Sequence, residues 1–141
     1  MAQHLFCYGT LEFPEVMTQV AGRPLSGERA VVEDYERRRM RGGPWPGIVA
    51  VPGGLVHGTL YAPVDSASLR RLDRYEGDQY RRVVLDARTG SRIVPAWTYV
   101  THAGLVDDAD WDRDEFACGH LQEYLDEVRR ELSSLPFGNR R

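Results

Sequence analysis

Residues 5–11, Leu5-Phe6-Cys7-Tyr8-Gly9-Thr10-Leu11, decide how the rest of the chain is read. Leu5 to Tyr8 are apolar at every position rather than at alternate ones, the pattern of a short strand buried on both faces, and Gly9 stops it. Pro14 then opens a short helix expected to run to about Val20-Ala21-Gly22. Ala30 to Arg41 is polar and arginine-rich and reads as one or two exposed strand segments. Gly47 to Val51 and Leu55 to Tyr61 are β-rich runs around Pro52-Gly53-Gly54, a reversal signal that predicts a hairpin. Tyr80 to Arg88 and Arg92 to Tyr99 predict a second hairpin around Thr89-Gly90-Ser91. Between the hairpins, Asp65 or Ser66 caps a helix with Leu69 and Leu72 on its apolar face, and Gly77 ends it. A final helix starts near Asp112 or Asp114 and carries Leu121, Leu125, Val128 and Leu132 as a stripe. Strands in hairpins with helices inserted favour an α+β domain built on a small closed or strongly curved mixed β-barrel, rather than a doubly wound parallel sheet.

The chain has 141 residues, enough for one domain with a single core, so residues 1–141 are read as one unit with a tail that frays after about 135. Its 18 basic and 21 acidic side chains are spread along the sequence, which argues against nucleic acid or anionic lipid as a partner and for a small ligand. The two cysteines, Cys7 and Cys118, lie far apart and suit a reducing cytoplasm. Met1-Ala2-Gln3-His4 leads directly into a strand, without the basic and apolar regions of an export signal, and no apolar stretch is long enough for a bilayer.

Two features carry chemistry. In the helix after Ser66, Leu69, Leu72, Asp73 and Glu76 follow spacings of three and four, which puts Glu76 on the apolar side. Desolvation there, together with the negative end of the helix dipole, raises the pKa of a carboxyl toward the range where it can take and return a proton. The alternative is a Glu76 that turns to water or pairs with Arg74, Arg81 or Arg82, and periodicity alone does not decide. The second feature is the turn at Gly9. Where a buried strand stops, the amides of Thr10, Leu11 and Glu12 can face one cavity as an anion-binding nest, or the turn can be an ordinary strand-to-helix connection. Tyr75 and Tyr80, on either side of Glu76, are candidates for an aromatic wall with hydroxyl donors.

Other chemistry-bearing residues point elsewhere. His4, His57, His102 and His120 lack metal-ligand spacing, so no metal is expected. Cys7 sits among apolar strand neighbours and reads as a small buried thiol. Arg37, Arg38, Arg39 and Arg41 read as a solvated edge that discourages strand pairing, with steering of an anionic substrate as the alternative.

The ordered set of short motifs resembles the γ-glutamylcyclotransferase-like family, and within it the AIG2-like branch. The resemblance runs through the residue 5–11 segment with Pro14-Glu15-Val16, then Trp45-Pro46-Gly47-Ile48-Val49 and Val56-His57-Gly58-Thr59-Leu60-Tyr61. It continues through Leu72-Asp73-Arg74-Tyr75-Glu76-Gly77, Tyr80-Arg81-Arg82 and Ala96-Trp97-Thr98-Tyr99-Val100. It implies a compact barrel flanked by helices and a cofactor-free reaction in which the α-amine of a γ-glutamyl group attacks its own γ-carbonyl, releasing 5-oxoproline and an amine. By the same resemblance Glu76 is the catalytic acid/base, and Tyr8, Gly9, Thr10 and Leu11 bind the glutamyl moiety through backbone amides. Glu12, Phe13 and Tyr80 complete the expected substrate-binding set, and the partner is a small γ-glutamyl compound. Many cyclotransferases of this fold have a basic residue and a glycine after the loop. Here Glu12-Phe13-Pro14 stands in that place, and Glu12 is either a carboxylate that attracts a cationic leaving group or a surface carboxylate beside Pro14. A non-catalytic module that binds a small metabolite or a partner protein on the same barrel is the competing reading.

Overall fold

The computed structural model describes residues 3–133, with side chains through Glu131. The strands are β1 (Gln3–Cys7), β2 (Gly27–Arg39), β3 (Pro46–Val64), β4 (Arg81–Thr89) and β5 (Arg92–Val100). They close into a barrel in the order β1-β3-β2-β4-β5. All pairings are antiparallel except the one that shuts the barrel, where β1 runs parallel to β5 with Leu5 opposite Trp97. The sheet is therefore mixed, and β1 is buried on both faces as its unbroken apolar run predicts. Phe6 and Tyr8 point into the barrel with Val32, Ile48, Val56 and Leu60. Leu5 and Cys7 point outward into a second cluster beneath the helices.

The helices are α1 (Pro14–Ala21), α2 (Ser66–Glu76), α3 (Arg113–Gly119) and α4 (Leu121–Ser133). Pro14 occupies the first turn of α1, and Gly22, at φ 88°, ends it in the left-handed region. Asp65 caps α2 by accepting from the Ser68 N–H at 2.7 Å, and Gly77 closes it by donating to Asp73 O. α1 packs against both α2 and α4, and α3 packs against α4. No helix among the described residues is long and apolar enough to cross a membrane.

Three local expectations are corrected. Pro52-Gly53-Gly54 does not reverse the chain, because β3 runs unbroken through it. The register jumps from Glu33 opposite Leu55 to Tyr35 opposite Ala50, so the segment is a bulge in β3. Asp34 at φ 66° and Gly53 at φ 82° absorb the kink, and Asp34 Oδ1 accepts the Gly53 N–H at 2.9 Å. The hairpin reversal lies earlier, at residues 40–45, where the Met40 N–H donates to Trp45 O. Second, the arginine-rich run is a single strand with partners on both sides near its end. Arg37 to Arg39 pair with β3, while Arg39 and Arg41 also exchange backbone bonds with residues 105–109. Arg37 lies over the Trp111 ring and donates to Tyr8 O, so this stretch is no free solvated edge. Third, the last helix breaks at His120, separating α3 from α4; Asp112 caps the first piece, and Leu125 and Val128 are buried on the second. The backbone of Leu132 is helical, and residues 134–141, where fraying is expected, lie outside the described residues.

Candidate active site

The end of β1, the turn that follows it and the end of α2 meet at one mouth of the barrel. Residues Thr10–Glu12 form a single 3₁₀ turn in which the Glu12 N–H donates to Gly9 O at 2.9 Å. The Glu12 amide is thus consumed by the turn and cannot join a nest. The amides of Thr10 and Leu11, at the start of the turn, are the ones a helical bonding pattern leaves over. Gly9 itself is demanded by a close approach. Its φ of −139° lies outside the left-handed region, but a Cβ there would sit 2.9 Å from Pro46 Cδ and nearer still to Cγ. The barrel rim is built by bringing the start of β3 onto the end of β1.

Glu76 is delivered to this point by helical periodicity. Ser68, Leu69, Leu72, Tyr75 and Glu76 are the buried residues of α2, and Glu76 is 9% exposed. Asp73 lies at the edge of that face with its side chain 40% exposed. It takes two bonds from Arg82, at 2.8 and 3.1 Å, and a third from the Tyr99 hydroxyl at 2.8 Å. Arg82, one of the cations that could draw Glu76 outward, is held by Asp73 and stacks over Trp97 at 4.1 Å. Around Glu76 lie Phe6, Cys7, Tyr8, Gly9, Thr10, Leu11, Trp45, Pro46, Tyr80 and Tyr99, which enclose a narrow cavity of about 20 Å³. That is room for one water molecule.

The turn is braced from outside the cavity. Thr10 Oγ1 contacts the Tyr75 hydroxyl at 3.2 Å, and Tyr75 in turn meets the Tyr124 hydroxyl from α4. The Tyr61 hydroxyl donates to Leu11 O at 2.8 Å. Tyr8, buried in the barrel, donates to Tyr99 O at 2.6 Å. Two acidic groups that line the pocket are held in their neutral forms. Burial, then the charges of Glu76 and Glu12, push the Cys7 thiol well above its usual range, so it is no nucleophile. Burial, the bond to Asp73 and the charge of Glu76 likewise hold the Tyr99 phenol far up.

Of the expected site residues, Glu76, Tyr8, Gly9, Thr10, Leu11 and Tyr80 converge on the cavity. The Tyr80 hydroxyl donates to Pro46 O at 2.7 Å, so it fixes the wall. Glu12 and Phe13 do not line the cavity. The Glu12 side chain turns away to Arg29 at 2.8 Å and Thr59 at 2.9 Å, and Phe13 stacks on Phe116 at 5.6 Å within the helical cluster. The reason is the 3₁₀ turn, which rotates successive side chains by about a third of a circle and sends residues 12 and 13 to the far side. Sequence reasoning missed Trp45, Pro46 and Tyr99 as lining residues and Tyr124 as a brace.

Residues 5–115 match the family model described as gamma-glutamyl cyclotransferase, AIG2-like. The chain belongs to this family. Among its relatives in Arabidopsis thaliana, the protein AIG2 C is 29% identical over 93% of this chain and 82% of its own. The AIG2-like protein A is 26% identical over 96% of this chain and 86% of its own. A solution structure of an Arabidopsis thaliana protein superposes with a TM-score of 0.69 at 28% identity, covering 94% of this chain and 83% of that one. A solved structure described as gamma-glutamyl cyclotransferase gives a TM-score of 0.64 at 15% identity over 92% and 87% of the two chains, a likeness of fold. The segments that carry the sequence resemblance also build the cavity: the end of β1, the start of β3, the end of α2 and the end of β5.

Proposed function

We propose that this protein is a γ-glutamylcyclotransferase in which Glu76 moves the protons and the Gly9 turn receives the negative charge. The observation that carries this reading is the meeting of a carboxyl only 9% exposed with the amide-bearing turn in one cavity otherwise lined by apolar and phenolic side chains. The attacking α-amine must lose a proton as its nitrogen bonds to the γ-carbonyl carbon. The departing amine must gain one as its C–N bond breaks. One buried carboxyl at the end of a helix serves both steps in turn, returning to its starting state with 5-oxoproline and the free amine released. The N–H groups of Thr10 and Leu11 are suited to the oxyanion of the tetrahedral intermediate or to the substrate's α-carboxylate. The apolar walls keep the folded substrate away from water, and the ring closure gains from a chain already bent. A glutamyl group enters by widening the 20 Å³ cavity, whose lining includes Trp45, Pro46 and Gly9. A reducing cytoplasm, suited to two free cysteines, is the expected setting.

The test is release of 5-oxoproline from a panel of γ-glutamyl amines and γ-glutamyl amino acids. Wild-type protein is expected to turn over at least one class, and Glu76→Gln to lose a factor of about 10²–10⁴ in kcat while keeping its fold and substrate affinity. Equal rates for the two proteins would refute the role of Glu76. Saturable binding with no 5-oxoproline from any compound would leave a binding module on the same barrel.

A further inference from the structure

On the far side of the 3₁₀ turn lies a second, larger cavity. It measures about 200 Å³, about ten times the volume of the Glu76 cavity, and shares no lining residue with it. About half of its wall is apolar, with Pro14, Met17, Pro24 and Leu25 prominent, and its one charged lining group is Glu12. The Glu12 side chain is 2% exposed. Both of its side-chain hydrogen bonds, from Arg29 Nη1 at 2.8 Å and Thr59 Oγ1 at 2.9 Å, fall on the same oxygen, Oε1. A carboxylate this buried requires a cation. The cation it has is Arg29, whose side chain is 63% exposed, so the guanidinium can swing into solvent and regain its hydration when another cation takes its place.

We propose that the Glu12 cavity is a binding site for a short alkyl primary amine. The ammonium takes the place of the Arg29 guanidinium at the Glu12 carboxylate, and the alkyl stem lies along Met17 and Leu25. An ammonium offers three donors to a carboxylate with one occupied and one open oxygen, and the apolar wall rewards a hydrocarbon stem that Arg29 leaves uncovered. An anion is excluded by Glu12. A metal ion is poorly served, since no group of three or more His, Cys, Asp or Glu side chains is assembled for one among the described residues. The site is no leaving-group subsite of the Glu76 pocket, because the turn stands between them. The two cavities do share that turn: Glu12 is its last residue, and Tyr61, which lines the amine cavity, holds Leu11 O.

The probe is n-pentylamine hydrochloride titrated into the full chain, read by calorimetry and by amide chemical shifts, with n-pentanol and pentanoate as controls. Saturable one-to-one binding is expected, with the largest shifts at residues 12, 17, 25 and 59, and at least tenfold weaker binding of both controls. Glu12→Gln should weaken the amine at least tenfold, whereas Glu76→Gln should leave it unchanged. Arg29→Ala alters an exposed side chain and should tighten the amine at least threefold by removing its competitor. Should Glu12→Gln fail to fold, Arg29→Ala and the alcohol control still decide. Equal affinity for amine and alcohol, weaker binding to Arg29→Ala, or shifts confined to the Glu76 pocket would each overturn the assignment.

Discussion

Replacing Gly9 by alanine tests whether the rim of the candidate site is set by contact or by backbone conformation. The new Cβ would lie 2.9 Å from Pro46 Cδ and closer to Cγ. Carbon atoms rest at about 3.5–4.0 Å, so the two segments must part by more than half an ångström. Pro46 cannot yield by rotating, because its ring is closed and its carbonyl is held by the Tyr80 hydroxyl at 2.7 Å. Forcing one extra methyl into so close a junction costs about 1–3 kcal/mol. At roughly 3 °C per kcal/mol for a chain of this size, the melting temperature should fall by about 3–9 °C. Pro46→Ala removes the Cγ and Cδ that would be struck and leaves Cβ, 3.9 Å from the new methyl, in ordinary contact. A double-mutant cycle measured by thermal or urea unfolding should therefore show Gly9→Ala costing less than about 0.5 kcal/mol in the Pro46→Ala background. Equal cost in both backgrounds would refute the steric account and assign the glycine to its dihedral angles. The same variants report on the proposed reaction: under it, a rim pushed outward misplaces the Thr10 and Leu11 amides and should lower kcat/KM for 5-oxoproline release in step with the stability loss.

Thiol chemistry offers an independent check. Burial and the nearby carboxylates oppose the Cys7 thiolate, so a thiol with an ordinary pKa near 9.0 stays protonated at about pH 8, while Cys118 is exposed. Iodoacetamide on the folded protein should add one carbamidomethyl group, at Cys118 by mass spectrometry, and a second only on unfolding. The sign for stability follows from the raised folded-state pKa: the contribution is whole below the unfolded value near 9.0 and shrinks as pH rises past it, so unfolding midpoints should fall at alkaline pH and fall less in Cys7→Ala. Arg82→Ala removes a two-bond partner of Asp73 and a cation over Trp97, and should cost about 1–2 kcal/mol in urea unfolding. Arg82→Lys, with a point charge in place of the planar fork, should recover less than half of it.

The fold was legible wherever a residue's local duty coincided with its tertiary one. Leu5 to Cys7 are apolar throughout because β1 has barrel interior on one side and helices on the other, and the pattern carries that information without any partner being known. Asp65, Gly77 and Gly22 act within their own helices, so their identities mark boundaries directly. Pro52-Gly53-Gly54 misleads for the opposite reason. A positive-φ glycine behind a proline has the same local chemistry in a reversal and in a bulge, and what selects the bulge is β2, whose Asp34 caps it and whose Tyr35 carbonyl fills the space a Gly54 side chain would need. No window of sequence around residue 53 contains that choice.

The site divides along the same line. Glu76 could be placed on the apolar face of α2 because spacing from Leu69 and Leu72 is a property of one helix, and the structure puts it there at 9% exposure. Glu12 could not be placed, because its direction depends on whether the residues after Gly9 extend or coil. A single 3₁₀ turn reverses the outcome and sends the carboxylate to Arg29 and Thr59. Tyr99 enters the site through barrel closure, which sets β5 beside β1, and Trp45 and Pro46 enter where the start of β3 packs onto Gly9 beyond the end of β1. Their signal was present in the Trp45-Pro46-Gly47 and Trp97-Thr98-Tyr99 motifs, but a motif gives identity without position. Tyr124 has neither motif nor chemistry to mark it. It lies beside Leu121 and Leu125 on a helical stripe that looks like core, and only the meeting of its hydroxyl with Tyr75 reveals that α4 reaches the turn that carries Thr10. The parts of an active site read from sequence are thus those whose geometry is settled within one element, and the parts that set its shape are those shared between elements.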